Sequence, residues 1–364
     1  MLAPVRYLLL MFATLACAAA GATPFSYATS KVAEGVYVFA EPAGHAIVSG
    51  NTVVIVGEES VAVVDTGHHP ALTRQMIAEI RALTPKPVAF VVNTHWHNDH
   101  VAGNAEYAAA FPGAKFVAHA FTARLLDTET RTFQSETCQG FLRVQAKPLR
   151  EALAAGVGLD GVALTEARRK RYQRYVEEAD TGMAECLEFR YRGADLAFED
   201  RVTLRLGRRE VHVMFLGRAN TAGDAVVVVP DANVVAVGDI LVHPFPFAFQ
   251  SYIGEWAAVL RRIEAMKPAV LVPGHGPPMR DLGYLSDIAG LMETIDRQVR
   301  TAYRPGMPLE ELRKHVDVGE FRRRIAGDDP FLQANFDAMV AGSAVARAWQ
   351  EASGKLEPEG LPRL

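Results

Sequence analysis

The stretch THWHNDH, residues 94–100, packs His95, His97, Asp99 and His100 into six consecutive positions. Polar groups buried in a core must each find a partner, so such a cluster has no ordinary packing role. Imidazole nitrogens and carboxylate oxygens are the usual protein ligands of zinc and neighbouring metals. The preceding run VAFVVN, residues 88–93, is apolar and β-branched and follows Pro85 and Pro87, which predicts a short buried strand. The cluster therefore falls where a strand ends, and in open α/β sheets ligands bind at the carboxyl ends of strands. In extended or turning chain His95 and His97 can converge on one ion, while Asp99 and His100 turn toward a second.

Upstream, GVYVFAEP, AIVSGNTVVIVG and SVAVVDTG alternate short β-type runs with glycine turns, an antiparallel opening. Leu72, Met76, Ile77, Ile80 and Leu83 recur at helical spacing. Downstream, residues 103–110 predict a helix and AKFVAH a strand. From about 121 to 190 strand signals vanish and charge becomes dense, which predicts a helical insertion. Within it, EARRKRYQRYVEE reads as a solvated helix face because acidic residues flank it. Strands resume at DLAFED, RVTLRLG, EVHVMFLG, DAVVVVP and NVVAVGDI. A helix over 256–266 leads to PAVLVPGHG, and about 281–364 reads as a helical C-terminal extension.

The chain has 364 residues, 49% hydrophobic and 22% charged, the composition of a globular protein with a large core. Its net charge of −4 offers no basic footprint for nucleic acid and no polybasic membrane anchor. Arg6 precedes the apolar run YLLLMFATLACAAA and then AGATPFS, which reads as a secretory signal over residues 1–22, cleaved after Ala22 or Ala20. The run is too short to span a bilayer comfortably. A periplasmic or secreted protein with no membrane span in its mature form is expected. Export leaves Cys138 and Cys186. An oxidising compartment permits a disulfide between them; two unrelated buried thiols are the other reading.

Three further strand ends carry candidate groups: LGRANTAGD at 216–224, VVAVGD ending at Asp239, and VLVPGHG presenting His275. Together with DTG at 65–67 and HWHNDH, in this order across about residues 30–280, they resemble the metallo-β-lactamase-fold hydrolases. The resemblance implies an α/β fold, a four-layer αββα sandwich of two mixed β-sheets flanked by helices, as one domain over 23–364. It implies that His95 and His97 hold a first metal and that Asp99, His100 and His275 hold a second. Asp239 would bridge the two or serve the second, and Asp65 would support the metal loops through hydrogen bonds. One position departs from the family pattern GHTxGD: Asn220 stands where its histidine is usual. An amide oxygen is a weaker, neutral ligand than imidazole. One tightly bound zinc ion and a second, weaker one are therefore expected. Asn220 is instead free to contact substrate or a metal-bound water, and His243, four residues past Asp239, is another group able to complete the first site. His68 and His69 read as loop surface or a substrate contact. Phe245, Phe247, Phe249 and Tyr252 form an apolar cleft wall or a covered loop.

The function the resemblance implies is a zinc-dependent hydrolase that turns a metal-activated water on an amide, lactam, ester or thioester of a small-molecule substrate. Asp99 would orient that water or take its proton. Two other functions fit the same residues. One is a mononuclear-iron oxidoreductase of the same fold, which relies on the histidine that Asn220 replaces. The other is a metal-binding or redox-relay accessory protein with little catalysis.

Overall fold

Along the strand Val61–Val64, Val61 and Val63 pack to one side and Ala62 and Val64 to the other, and all four are buried. A strand covered on both faces reads as an unbroken apolar run, and this sequence holds several. The computed structural model describes residues 25–41, 49–131, 135–159, 161–356 and Glu359. The signal reading of residues 1–22 lies outside these.

Seven strands form the first sheet, in chain order: β1 (Ala28–Ala33), β2 (Val36–Ala40), β3 (Thr52–Val56), β4 (Val61–Val64), β5 (Val88–Asn93), β6 (Lys115–His119) and β7 (Leu196–Phe198). Its pairs are antiparallel from β1 to β4 and parallel from β4 to β7. The second sheet holds β8 (Arg201–Arg205), β9 (Glu210–Phe215), β10 (Ala225–Val229), β11 (Val234–Ala236) and β12 (Val270–Val272). These pair antiparallel except β11 with β12, which is parallel.

The two sheets face each other across a core that includes Val38, Ile55, Val64 and Val92 from one side and Val213, Val227, Ala236 and Val272 from the other. Outside the first sheet lies α1 (Pro70–Leu83), which buries Leu72, Met76, Ile77 and Ile80. Proline at its first position fits the helix start, and Pro85 disfavours helical backbone at Thr84, where it stops. The short α2 (Asn98–Val101) follows β5, and α3 (Asn104–Ala110) adds Tyr107 to the same outer core. Between β6 and β7 the chain runs through α4 (Ala120–Leu125), a π-helical turn at Leu126–Thr130, α5 (Ser135–Ala155) and α6 (Glu166–Glu185).

Covering the second sheet are α7 (Ile253–Ala265) and α8 (Gly283–Ala302), through Trp256, Leu260, Ile263, Ile288 and Ile295. The helices α9 (Leu309–Arg313), α10 (Gly319–Ala326), α11 (Pro330–Phe336) and α12 (Ser343–Ser353) complete that layer. This is the αββα sandwich expected from the sequence. Among the described residues no helix is long and apolar enough to cross a membrane.

Cys138 of α5 and Cys186, just past α6, are joined by a disulfide, with Cα atoms 5.8 Å apart and Leu142 and Met183 packed alongside. The bond closes a separation of 48 residues, worth about 4 kcal/mol on a chain-entropy argument. Cys138→Ser is expected to lower the unfolding free energy by an amount of that order, read as a lower denaturant midpoint at unchanged slope. Reductant should bring the wild-type protein to the same lower midpoint. Coincident unfolding of oxidised wild type and variant would count against the bond.

Candidate metal centre

The parallel pairs of each sheet bring the sequence motifs to one edge of the sandwich. In the first sheet Val64 pairs with Val92, so Asp65 leaves β4 beside the chain that leads into Thr94 and His95. In the second, Ala236 pairs with Val272. Asp239 and His275 lie equally far beyond that pair and emerge side by side. The chain bends at Thr94 and His95, is extended at His97 and then turns into α2, which carries Asp99 and His100. His95 thus comes from a bend just past β5 and His97 from extended backbone, while the next two candidates come from a helical turn.

Two groups of candidate ligands result. Asp99, His100, Asp239 and His275 form one, and His95, His97 and Asp239 the other, with the ligand atoms of each group within 4.8 Å of one another. Asp239 belongs to both. Its Oδ1 lies 3.1 Å from His100 Nε2 and 3.5 Å from His275 Nε2, and its Oδ2 lies 3.7 Å from His95 Nε2. Asp99 Oδ2 is 3.0 Å from His275 Nε2. All six residues that the resemblance assigns to metals therefore meet in one place.

Asp65 organises the imidazoles. Its Oδ1 accepts from Thr94 N at 2.8 Å, and its Oδ2 accepts from Thr94 Oγ1 at 2.7 Å. The same Oδ2 lies 2.8 Å from His100 Nδ1. Thr94 Oγ1 has spent its proton on Asp65, so toward His95 Nδ1, 3.0 Å away, it can only accept. Both histidines consequently carry a proton on Nδ1 and turn Nε2 into the site, the arrangement that suits a metal-ligating histidine. His95 Nε2 is buried with no hydrogen-bond partner.

Burial drives the His95 imidazole well below its ordinary range and His100 adds to this, against the pull of Asp239. Burial acts the same way on His100, but Asp239, Asp99 and Asp65 outweigh it and hold that ring well above the ordinary range. For Asp99 and Asp239 burial works upward, and His100 and His275 reverse it, so both carboxyls titrate below the usual range. The charge that His100 and His275 lend to these carboxylates is one that a bound divalent ion would take over. Space is also kept for it: a side chain at Gly274 would collide with Asp239 Oδ1, and one at Gly50 with the His100 ring. Orphaned Nε2, charged carboxylates and the two glycines together fit a divalent metal.

Asn220 sits in the turn between β9 and β10, 2% exposed, and its Nδ2 has no hydrogen-bond partner among the described residues. His243 joins neither ligand group; its ring packs edge-on against Tyr284 at 5.1 Å and is exposed. His69 is not loop surface: it is fully buried, stacked on Phe25 at 3.5 Å, with Nδ1 2.6 Å from Glu185 Oε2. The aromatic run divides. Phe245 and Tyr252 are buried, Phe247 stands edge-on to His275 at 6.4 Å, and Phe249 is exposed.

Sequence reasoning missed Asn51, whose Nδ2 donates to Pro273 O and Gly276 O on either side of His275. A lone asparagine 222 residues from its partner carries no local signal. A cavity of about 600 Å³ lies beyond the Asn220 turn, lined by His119, Phe121, Arg124, Phe215, Arg218 and Tyr252 among others. None of the six candidate ligands lines it.

Fold and site together define a member of the metallo-beta-lactamase superfamily, and the model of that family matches residues 46–275. The chain belongs to it. Among curated proteins, a linear primary-alkylsulfatase of Pseudomonas sp. (strain ATCC 19151) is 26% identical over 299 residues, 77% of this chain and 52% of that protein. The chain thus spans about half the length of this relative. Among solved structures, a metallo-beta-lactamase from Pontibacter korlensis superposes with a TM-score of 0.52 at 18% identity, covering 74% of this chain and 99% of that one, a likeness of fold.

Asp65→Ala is expected to weaken divalent-metal binding by about ten- to a hundredfold while leaving the fold intact, as loss of a ligand-orienting carboxylate does. Chelator competition measures it, and unchanged affinity would remove Asp65 from this role.

Proposed function

We propose that the chain is an exported, zinc-dependent hydrolase that cleaves an ester-type bond in a small amphiphilic substrate. The observation that carries this reading is the pair of ligand groups sharing Asp239. A divalent ion held there would supply an acidified water and a Lewis-acid contact for the substrate oxygen. The rest of the chemistry falls to the chain's own side chains. Asp99, held by His275 and kept charged, is placed to orient the attacking water and take its proton. Asn220 Nδ2 is a buried donor with no partner of its own, suited to hydrogen-bond a substrate oxygen. Phe247 beside His275 offers an apolar wall for the remainder of the substrate.

Amide, lactam, carboxyl ester and thioester bonds all suit this machinery. The alkylsulfatase relative supports adding a sulfate ester and placing it first. The export reading rests on the basic residue and apolar run of residues 1–22.

A panel of chromogenic sulfate-ester, carboxyl-ester, thioester and lactam substrates tests the proposal, with His275→Ala as the control. Turnover on at least one class is expected, with a parallel loss of bound metal and rate in the variant. An equally active His275→Ala protein would reject the assignment, and a wild type inert on every class would leave only a metal-binding role.

The first ligand group has two imidazoles and a shared carboxylate, whereas zinc prefers about four ligands. One ion should accordingly be tight and the second readily lost to a chelator. Asn220→His is expected to raise tightly bound zinc from about one ion toward two per chain, counted by mass spectrometry. Two equally tight ions in the native protein would show that another group already completes the site.

A further inference from the structure

Trp96 lies between the ligand candidates His95 and His97, and its indole is buried among Val101, Leu125 and Leu126. The ring stands edge-on to His97 at 4.8 Å. Its Nε1 donates to Glu359 Oε2 at 3.0 Å, across 263 residues of sequence. The other oxygen, Glu359 Oε1, accepts from the backbone N of Ala222 at 2.5 Å, two residues past Asn220. The Tyr252 hydroxyl also hydrogen-bonds this carboxylate. Tyr252 in turn donates its backbone N to Ala219 O at 2.8 Å, the residue before Asn220. Glu359 itself is 9% exposed. A single carboxylate from the far end of the chain thus ties together the two segments that flank the first ligand group.

We propose that Glu359 is a positioning residue for the first metal ion. It fixes Trp96 and the Asn220 turn at the separation that His95 and His97 require, and so sets the affinity of that ion without touching Asp99, His100 or His275. Two imidazoles and a shared carboxylate are a sparse set, too few to impose their own geometry on the loops. Such a set depends on support from the surrounding side chains. The second group has four ligands, with Asp65 directly on His100 and Asn51 holding the chain on either side of His275, so it does not depend on this clamp.

The inference rests on the two-ion centre described under the proposed function, and one experiment distinguishes failure of either. Metal-free full-length protein is titrated with Zn²⁺ against a chelating dye, which resolves the tight ion from the weak one. In Glu359→Ala the dissociation constant of the weaker ion should rise at least tenfold while that of the tighter ion is unchanged. Trp96→Phe keeps an aromatic six-membered ring but removes the indole N–H together with the fused pyrrole ring, and it should show the same selective loss. The two variants share the loss of the Trp96–Glu359 hydrogen bond, so their effects in the double variant should fall short of additive. Wild-type affinity for both ions in Glu359→Ala, or equal weakening of both, overturns the assignment. Should Glu359→Ala fail to fold, Trp96→Phe decides by the same criterion. Uptake of fewer than two ions by the wild type overturns the two-ion reading itself, and this assignment with it.

Discussion

The Asp65 carboxylate is the fixed point of the site. It stands where β4 ends, held in left-handed backbone with φ 56°, a conformation that aspartate tolerates and β-branched residues do not. From there its two oxygens receive the backbone N of Thr94, the Thr94 hydroxyl and the His100 imidazole. The tautomer of His100 follows directly, and that of His95 follows at one remove through Thr94. Both ligand groups therefore inherit their orientation from one side chain. Its own position comes from the parallel pairing of two buried strands. Hydrophobic packing of the sheets thus translates, through three hydrogen bonds, into the direction in which two ring nitrogens point.

The layers of the sandwich and the candidate ligands were legible because their signals are local. Apolar runs such as DAVVVVP announce doubly covered strands, and four of the six ligand candidates occupy neighbouring positions. What escaped was set by contacts between distant segments. The strand β1 was not expected: four of its six residues are exposed, so it shows no alternation to read. His69 beside the DTG motif looked like surface, but Glu185, 116 residues away, and Phe25 bury it. His243 is close to Asp239 along the chain, yet its ring packs on Tyr284, away from the ligands. Glu359 is one of two glutamates, with Glu357, in a short tail that also holds prolines and glycines, and nothing in that composition points to Trp96.

The asymmetry between the two ligand groups has a physical origin. The second group draws on α2, the β11 end and the β12 end, each with hydrogen-bonded support close by. The first lacks an imidazole at position 220, and the amide there keeps an unpartnered donor out of water. A buried donor without a partner is costly to the folded chain unless a ligand satisfies it. The same residue that would thin the metal's coordination thus offers the free donor on which the proposed substrate contact of Asn220 rests.

The ligands arrive from both sheets: four from the loop after β5, and Asp239 and His275 from the ends of β11 and β12. His100 and His275 are 175 residues apart in sequence, with their Nε2 atoms 3.2 Å from each other. An ion seated between them would be a cross-link that closes a loop of 175 residues, about half of the chain. The two halves of the sandwich cannot come apart while that link holds, so a bound ion would add its binding free energy to the stability of the fold. The protein's lifetime in a metal-poor compartment is then governed by the free ion concentration as much as by its hydrophobic core. Under the proposed function, the ion that would activate water would also brace the sheets, so both would draw on the same reservoir of metal.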